Sequence, residues 1–87
     1  MNDYILSLEK LFHDLMLLEY GRGRTIKLPF FGGYLELKLE FNNGMINVLS
    51  ATSSVIGIRK SCENISLGYT DPISLTRDVN AVLKSMA

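Results

Sequence analysis

The segment YLELKLEFNNGMINVL, residues 34–49, is where the architecture of this chain is easiest to infer. Its first half alternates apolar and polar side chains, the pattern of a β-strand with one buried and one exposed face. Asn43 and Gly44 then supply the two positive-φ positions that a type I′ turn requires. The segment therefore predicts a β-hairpin in which Leu39 faces Val48 across the two strands.

Two amphipathic helices are predicted at the ends of the chain. In the first, apolar side chains recur at helical spacing. They are Tyr4, Leu8, Leu11, Leu15 and Leu18, flanked by Ile5, Phe12 and Met16. The second helix is predicted to begin at Asp71-Pro72, because Asp is a good N-cap and Pro is favoured at the first helical position. Its apolar face comprises Leu75, Val79, Val82, Leu83 and Met86, whereas Arg77, Asp78 and Lys84 are predicted to point outward.

Further strands are predicted on both sides of the hairpin. Residues 25–30 form the first strand, and Pro29 indicates that it lies at a sheet edge or a strand end. The small polar residues 50–54 predict a turn, and residues 55–60 and 65–69 predict two more strands. The fold class is therefore α+β: an antiparallel β-meander of four to five strands packed against N-terminal and C-terminal amphipathic helices, in a single domain over residues 1–87.

Composition narrows the functional classes. The chain has 87 residues, 47% of them hydrophobic, and a formal net charge of zero, which allows one modest core and gives no long-range attraction to nucleic acid or anionic lipid. A single cysteine forms no internal disulfide, and no apolar run is long enough for a membrane span. We therefore expect a cytoplasmic protein that does not act at a membrane, with no cofactor and no metal.

His13 and Cys62 are the residues best suited to catalysis. Each is the only one of its type, whereas a zinc site uses about four ligands and a general base needs a positioned partner. We interpret His13 as a solvated helix-surface residue and Cys62 as an exposed loop thiol, and we do not expect an enzyme. A small enzyme that uses Cys62 or His13 is one alternative.

The basic cluster Arg22, Arg24 and Lys27 supports a second alternative, a nucleic-acid-binding protein. Glycines beside the arginines would allow backbone amides to approach a phosphate. The neutral net charge and the lack of a recognised RNA-binding signature argue against it. We interpret the cluster as an ordinary solvated turn between helix and strand.

The face of the sheet away from the helices is the predicted contact surface. If the side chains of Leu35, Leu37 and Leu39 point toward the helices, strand alternation directs the opposite set outward. This set comprises Phe31, Tyr34, Met45, Leu49 and Val55. Aromatic and Met side chains in a polar surround are typical of protein contacts. The predicted partner-binding residues are Phe31, Tyr34, Glu36, Lys38, Met45 and Leu49.

We therefore predict a small non-enzymatic protein-binding module that acts through this outer face or through an unpaired edge strand. Its partner would be another protein or a second copy in a homodimer. Adaptors, secretion-type chaperones, and small inhibitors encoded by phages or mobile elements share this physical profile, which is an analogy at the level of architecture.

Overall fold

The computed structural model describes residues 2–18, 20–30 and 32–86, and the side chains of residues 6–18, 20–30 and 32–85. The elements in chain order are α1 Asn2–Leu18, β1 Gly23–Phe30, β2 Gly33–Asn42, β3 Met45–Val55, β4 Ile58–Ser61, β5 Gly68–Tyr69 and α2 Pro72–Met86. The fold is α+β with an antiparallel sheet between two terminal helices, which confirms the predicted class.

The sheet has the order β1-β2-β3-β4, and β5 also pairs with β3. β4 pairs with the second half of β3, from Thr52 to Val55. β5 pairs with the first half, at Ile46 and Asn47. β1 is therefore one edge of the sheet, and β4 and β5 share the other.

The central hairpin of β2 and β3 forms as predicted. Leu39 pairs with Val48, and the turn residues Asn43 and Gly44 have φ angles of 51° and 71°. The inward-facing side chains of β2 are fully buried at Leu35, Leu37, Leu39 and Phe41. Together with buried side chains of both helices, they form one hydrophobic core on one face of the sheet.

α1 packs on this core through a narrower stripe than the sequence suggests. Leu8, Phe12 and Leu15 are buried, whereas Leu11 is 37% and Leu18 is 81% exposed. The predicted stripe residues Tyr4 and Ile5 lie outside the described side chains. In the part of the chain that the structure describes, neither helix has the length and apolar character needed to cross a membrane.

α2 presents the predicted face to the core. Leu75, Val79, Val82 and Leu83 are buried, and Met86 lies outside the described side chains. The helix is capped at its start by Asp71, whose Oδ1 accepts a hydrogen bond from the backbone N–H of Ser74 at 2.8 Å. The outward prediction for Asp78 is wrong, because this side chain is half-buried and accepts a hydrogen bond from Tyr69.

The predicted turn at residues 50–54 is wrong, because β3 continues through them to Val55. Lys38 pairs with Ser50 and Leu39 with Val48, so Leu49 is the extra residue of a β-bulge. The bulge shifts the alternation of β3 by one residue. Ser53 is consequently buried, and Val55, two residues further, lies on the helix side of the sheet instead of the predicted outer side.

The predicted strand 55–60 is interrupted by a tight turn. Ile56 and Gly57 have φ angles of 48° and 79° and connect Val55 directly to its partner Ile58. Two consecutive positive φ angles characterise a type I′ turn, which ends β3 and starts β4. The two additional strands of the prediction therefore exist, with different boundaries.

Candidate functional site

The predicted contact surface on the outer face is largely polar and internally bonded. Glu36 accepts a hydrogen bond from Arg59 Nη2 at 3.2 Å, and its side chain is only 14% exposed. The Lys27 Nζ lies 5.0 Å from the centroid of the Tyr34 ring, a distance suited to a cation–π contact. Lys38, two residues after Glu36 on β2, is exposed. Phe31, the remaining residue predicted at this end, lies outside the described residues.

Met45 and Leu49 do not join Tyr34 in one apolar patch. Met45 pairs with Asn42, eight positions along β2 from Tyr34, so the two residues are about 26 Å apart at 3.3 Å per residue. Met45 packs over β5, where a Cβ at Gly68 would come within 3.0 Å of its Cε. Leu49 projects from the bulge and is 60% exposed.

A chain of side-chain hydrogen bonds lies between these positions on the outer face. Asn47 Nδ2 donates to Asn42 Oδ1 at 2.8 Å, and Asn42 Nδ2 donates to Glu40 Oε1 at 2.6 Å. These bonds already use polar groups that a partner would otherwise engage. The outer face therefore resembles a polar solvent-facing surface with separated apolar residues.

The basic residues predicted for nucleic-acid binding do not share one face. Arg24 pairs with Leu39, whereas Lys27 pairs with Glu36. Since side chains alternate along a strand, Arg24 and Lys27 lie on opposite faces of the edge strand β1. Arg22 lies before β1, where its backbone carbonyl accepts a hydrogen bond from Phe41. The three side chains are exposed, but they do not form a continuous basic surface.

Cys62 and His13 are at different ends of α2. Cys62 borders a depression of about 290 Å³ beside Val82, and His13 borders one of about 350 Å³ beside Ile73. Val82 lies nine positions after Ile73 in the helix, about 13.5 Å at 1.5 Å per residue. The two candidate catalytic side chains are thus not placed for direct proton transfer between them.

The local environment of Cys62 differs from the sequence prediction. The residue is half-buried and packs against the core, so the prediction of an exposed loop thiol is wrong. Burial raises the pKa of the Cys62 thiol and outweighs hydrogen bonding with Ser53. His13 is exposed, as predicted, with its Nδ1 3.9 Å from Asp14 Oδ1. Among the described residues, no group of three His, Cys, Asp or Glu side chains is arranged to hold a metal ion.

No family model, curated protein or solved structure matches this chain.

The hairpin that joins β3 to β4 carries an apolar surface that sequence reasoning missed. Val55 is 37%, Ile56 is 88% and Ile58 is 63% exposed; we call these three residues the hairpin-tip surface. Val55 and Ile58 are paired and therefore project on the same side of the sheet. The signal that could have located this surface is Gly57, because a turn there would group the surrounding β-branched residues at a hairpin end.

A groove of about 450 Å³ lies along the hairpin-tip surface. Its lining consists of Ser53, Val55, Ile56, Ile58 and Lys60. Ser53 pairs with Lys60, and its hydroxyl donates a hydrogen bond to the Lys60 carbonyl at 3.4 Å. The groove is thus apolar at the turn and has a cation at its other end, next to the open edge of β4.

Proposed function

We propose that this chain is a small non-enzymatic protein-binding module that binds its partner through the hairpin-tip surface and the adjoining edge strand β4. The observation that carries the proposal is the exposure of Ile56 and Ile58, at 88% and 63%, beside strand β4, which has no neighbour on one side among the described residues. Apolar side chains grouped next to an open sheet edge are suited to contact another protein.

Ile56 supports the proposal through its conformation as well. Its φ angle is 48°, in the left-handed region that β-branched residues avoid, and the turn would be more stable with Asn or Gly at this position. The side chain is too exposed to contribute substantially to the core. Both the positive φ angle of Ile56 and the exposure of its apolar side chain to water lower the stability of the fold. Retention of such a residue is consistent with a role in binding.

Residues of the outer sheet face stabilise the position of the β3–β4 hairpin and are not the main contact surface in this proposal. The ion pair between Glu36 and Arg59 joins β2 to β4 across β3, and it holds the base of the hairpin in position. Tyr34 and Lys38 remain available at the margin of that face. We therefore assign the main contact to the hairpin-tip surface and leave the outer-face residues a secondary role.

The partner in this proposal is another protein in the cytoplasm, and the chain would serve as an adaptor or as an inhibitor of that partner. A homodimer through the same hairpin is the competing arrangement. Measurement of the solution mass over a concentration series separates these arrangements, because only a dimer gains mass as the concentration rises.

The proposal is tested by capture of binding proteins from the cell that encodes the chain. The wild type is compared with Ile58→Asp and with Thr25→Asp, a matched control at an exposed position of the opposite edge strand β1. We expect wild type and Thr25→Asp to retain a common protein that Ile58→Asp does not retain. Circular dichroism verifies that all three chains are folded.

A Tyr34→Asp variant in the same experiment addresses the outer face. Loss of the common protein from Tyr34→Asp, with retention by Ile58→Asp, would move the contact surface to the outer face and overturn our assignment. Equal capture by all the folded variants would reject both surfaces.

A further inference from the structure

The two edges of the sheet differ in their ability to accept another strand. The backbone N–H of Cys62 donates to the Ala51 carbonyl at 2.9 Å. Backbone bonding alternates along an antiparallel ladder, so Ile58 and Lys60 also bond to β3. Arg59 and Ser61 consequently direct their N–H and C=O groups away from the sheet. β4 therefore presents two donors and two acceptors at its open edge.

The opposite edge is blunted by proline. Pro29 has no N–H and interrupts β1 close to its end, and natural sheets use proline at edges to prevent pairing with another chain. β4 contains no proline over Ile58–Ser61. β1 still directs the backbone groups of Gly23, Thr25 and Lys27 outward, so the preference for β4 rests on the groove of about 450 Å³ beside it.

Self-pairing of β4 is opposed by charge. The antiparallel register that satisfies all four open groups places Arg59 opposite Ser61 of a second copy, and Lys60 opposite the second copy's Lys60. Residues directly opposite in such a non-hydrogen-bonded pair have Cα atoms about 4.5 Å apart, and like charges there are destabilising. The strand that fits this edge instead carries an acidic residue opposite Lys60.

We propose that β4 binds an extended segment of another protein by antiparallel strand addition, with an acidic residue opposite Lys60 and an aliphatic residue opposite Ile58. This inference rests on the proposed function and specifies its partner. Ile58 and Lys60 both line the groove of about 450 Å³, so both partner side chains enter it. Since the strands are antiparallel, the partner reads acidic–any–aliphatic from its N-terminus.

The orientation of the outer-face neighbours is consistent with this arrangement. The Arg59 side chain lies on the opposite side of β4 from Lys60, where it bonds to Glu36. This bond leaves Lys60 as the cation of β4 that projects into the groove. Specificity in this proposal therefore depends on one charge pair at Lys60 and one aliphatic contact at Ile58. The backbone of β4 supplies the hydrogen bonds to the partner strand.

The test uses a peptide of the sequence Ser-Thr-Glu-Thr-Val-Thr-Ser with blocked termini. Its binding is measured by titration through the changes in the backbone amide chemical shifts of the protein. The control peptides replace Glu by Lys or reverse the order to Val-Thr-Glu. We expect the largest shifts at the amides of Arg59 and Ser61 and about fivefold weaker binding of the Lys peptide. The reversed peptide should also bind more weakly, because it matches only a parallel strand.

Charge exchange and backbone methylation give sharper controls. In Lys60→Glu the preference should invert toward the Lys peptide, whereas Lys38→Glu, the same change on the outer face, should keep the preference for Glu. An N-methyl group on the Thr between Glu and Val removes the N–H that faces Arg59 and should abolish binding. The same group on Glu removes an N–H that faces away from β4 and should be tolerated.

Failure of this inference is distinguishable from failure of the proposed function. Absence of peptide binding, or equal binding of all the peptides, overturns strand addition. If Ile58→Asp nevertheless loses the captured protein, the hairpin-tip surface remains the contact site. A concentration-dependent dimer that protects the amides of Arg59 and Ser61 from hydrogen exchange would instead assign the edge to a second copy, against the proposal.

Discussion

Tyr69 donates its phenolic hydroxyl to Asp78 Oδ2 at 2.6 Å, and this bond joins the two-residue strand β5 to α2. The same oxygen accepts the backbone N–H of Ser66 at 2.8 Å. Burial, followed by the hydrogen bond to Asp78, raises the pKa of Tyr69. The hydroxyl therefore remains a donor well above neutral pH and fixes the segment between β4 and α2.

Replacement of Tyr69 by Phe should destabilise the fold. The aromatic packing would remain, but the Asp78 carboxylate and the Ser66 N–H would both lose a partner, at a cost of about 1–3 kcal/mol. Urea denaturation measures this difference in the free energy of unfolding. Tyr34→Phe on the outer face is the matched control, and a loss of equal size there would contradict a specific role of the Tyr69 hydroxyl.

The N-cap of α2 should give the fold a dependence on acid pH. Hydrogen bonds from Ser74 lower the pKa of Asp71, so its charged form stabilises the folded state. That contribution is present above about pH 4, the ordinary pKa of an aspartate, and is lost as the pH falls through the lower folded-state pKa. Thermal unfolding of the wild type from pH 7 to pH 2.5 should show this decline.

Two variants at position 71 distinguish the effect of the Asp71 charge from the effect of its capping hydrogen bond. Asp71→Asn preserves a capping side chain and should flatten the acid decline, whereas Asp71→Ala should lower stability at neutral pH as well. An unchanged acid profile in Asp71→Asn would assign the decline to other carboxylates.

Ile56→Asn should stabilise the chain and weaken binding. Asn adopts a positive φ more readily than a β-branched residue, and relief of this strain is worth about 1 kcal/mol, roughly 4–8 °C in Tm for a domain of this size. Ile58→Asn, the same substitution at a strand position, should not raise Tm. An Ile56→Asn variant that is more stable and binds unchanged would remove Ile56 from the contact surface.

Core and surface leucines should respond differently to truncation. Leu37 is fully buried and Leu49 is 60% exposed. Leu37→Ala should cost about 2–5 kcal/mol in unfolding free energy, and Leu37→Asp should abolish folding because it buries an unpaired charge. Leu49→Ala should change little. Similar losses at both positions would contradict the bulge and the alternation that it resets.

Cys62 should react slowly with thiol reagents. Its raised pKa reduces the thiolate fraction at pH 7, and packing against the core limits access. A colorimetric disulfide reagent should therefore modify the folded chain several-fold more slowly than the chain in guanidinium chloride. Equal reaction would contradict the protection of Cys62 by the fold, and faster reaction of the folded chain would indicate an activated thiol and favour the enzymatic alternative.

The parts of the fold that were predictable from sequence are those with local signals. Alternation in β2 and the Asn43-Gly44 turn are sufficient to define the central hairpin, and Asp71-Pro72 defines the start of α2. The bulge at Leu49 has no comparable signal, because its position depends on which residues of β3 must face the helices. Once the alternation shifts there, the outward orientation predicted for Val55 becomes wrong.

The same dependence explains why the hairpin-tip surface is absent from the sequence prediction. Regular alternation assigns Val55 to the outer face and so separates it from Ile58, its partner on the helix side. The distance between Tyr34 and Met45, in contrast, follows from the predicted register and was available from the sequence. The turn at Ile56 was missed because a β-branched residue is a rare choice for a positive φ angle.

The bulge at Leu49 also divides β3 into two halves that pair with different strands. Residues before Leu49 pair with β5, and residues from Thr52 onward pair with β4. We therefore expect substitutions at the tip of the β3–β4 hairpin to leave the packing of Ile46 and Val48 unchanged. This separation makes the hairpin a natural position at which evolution or a designer could exchange one recognition sequence for another.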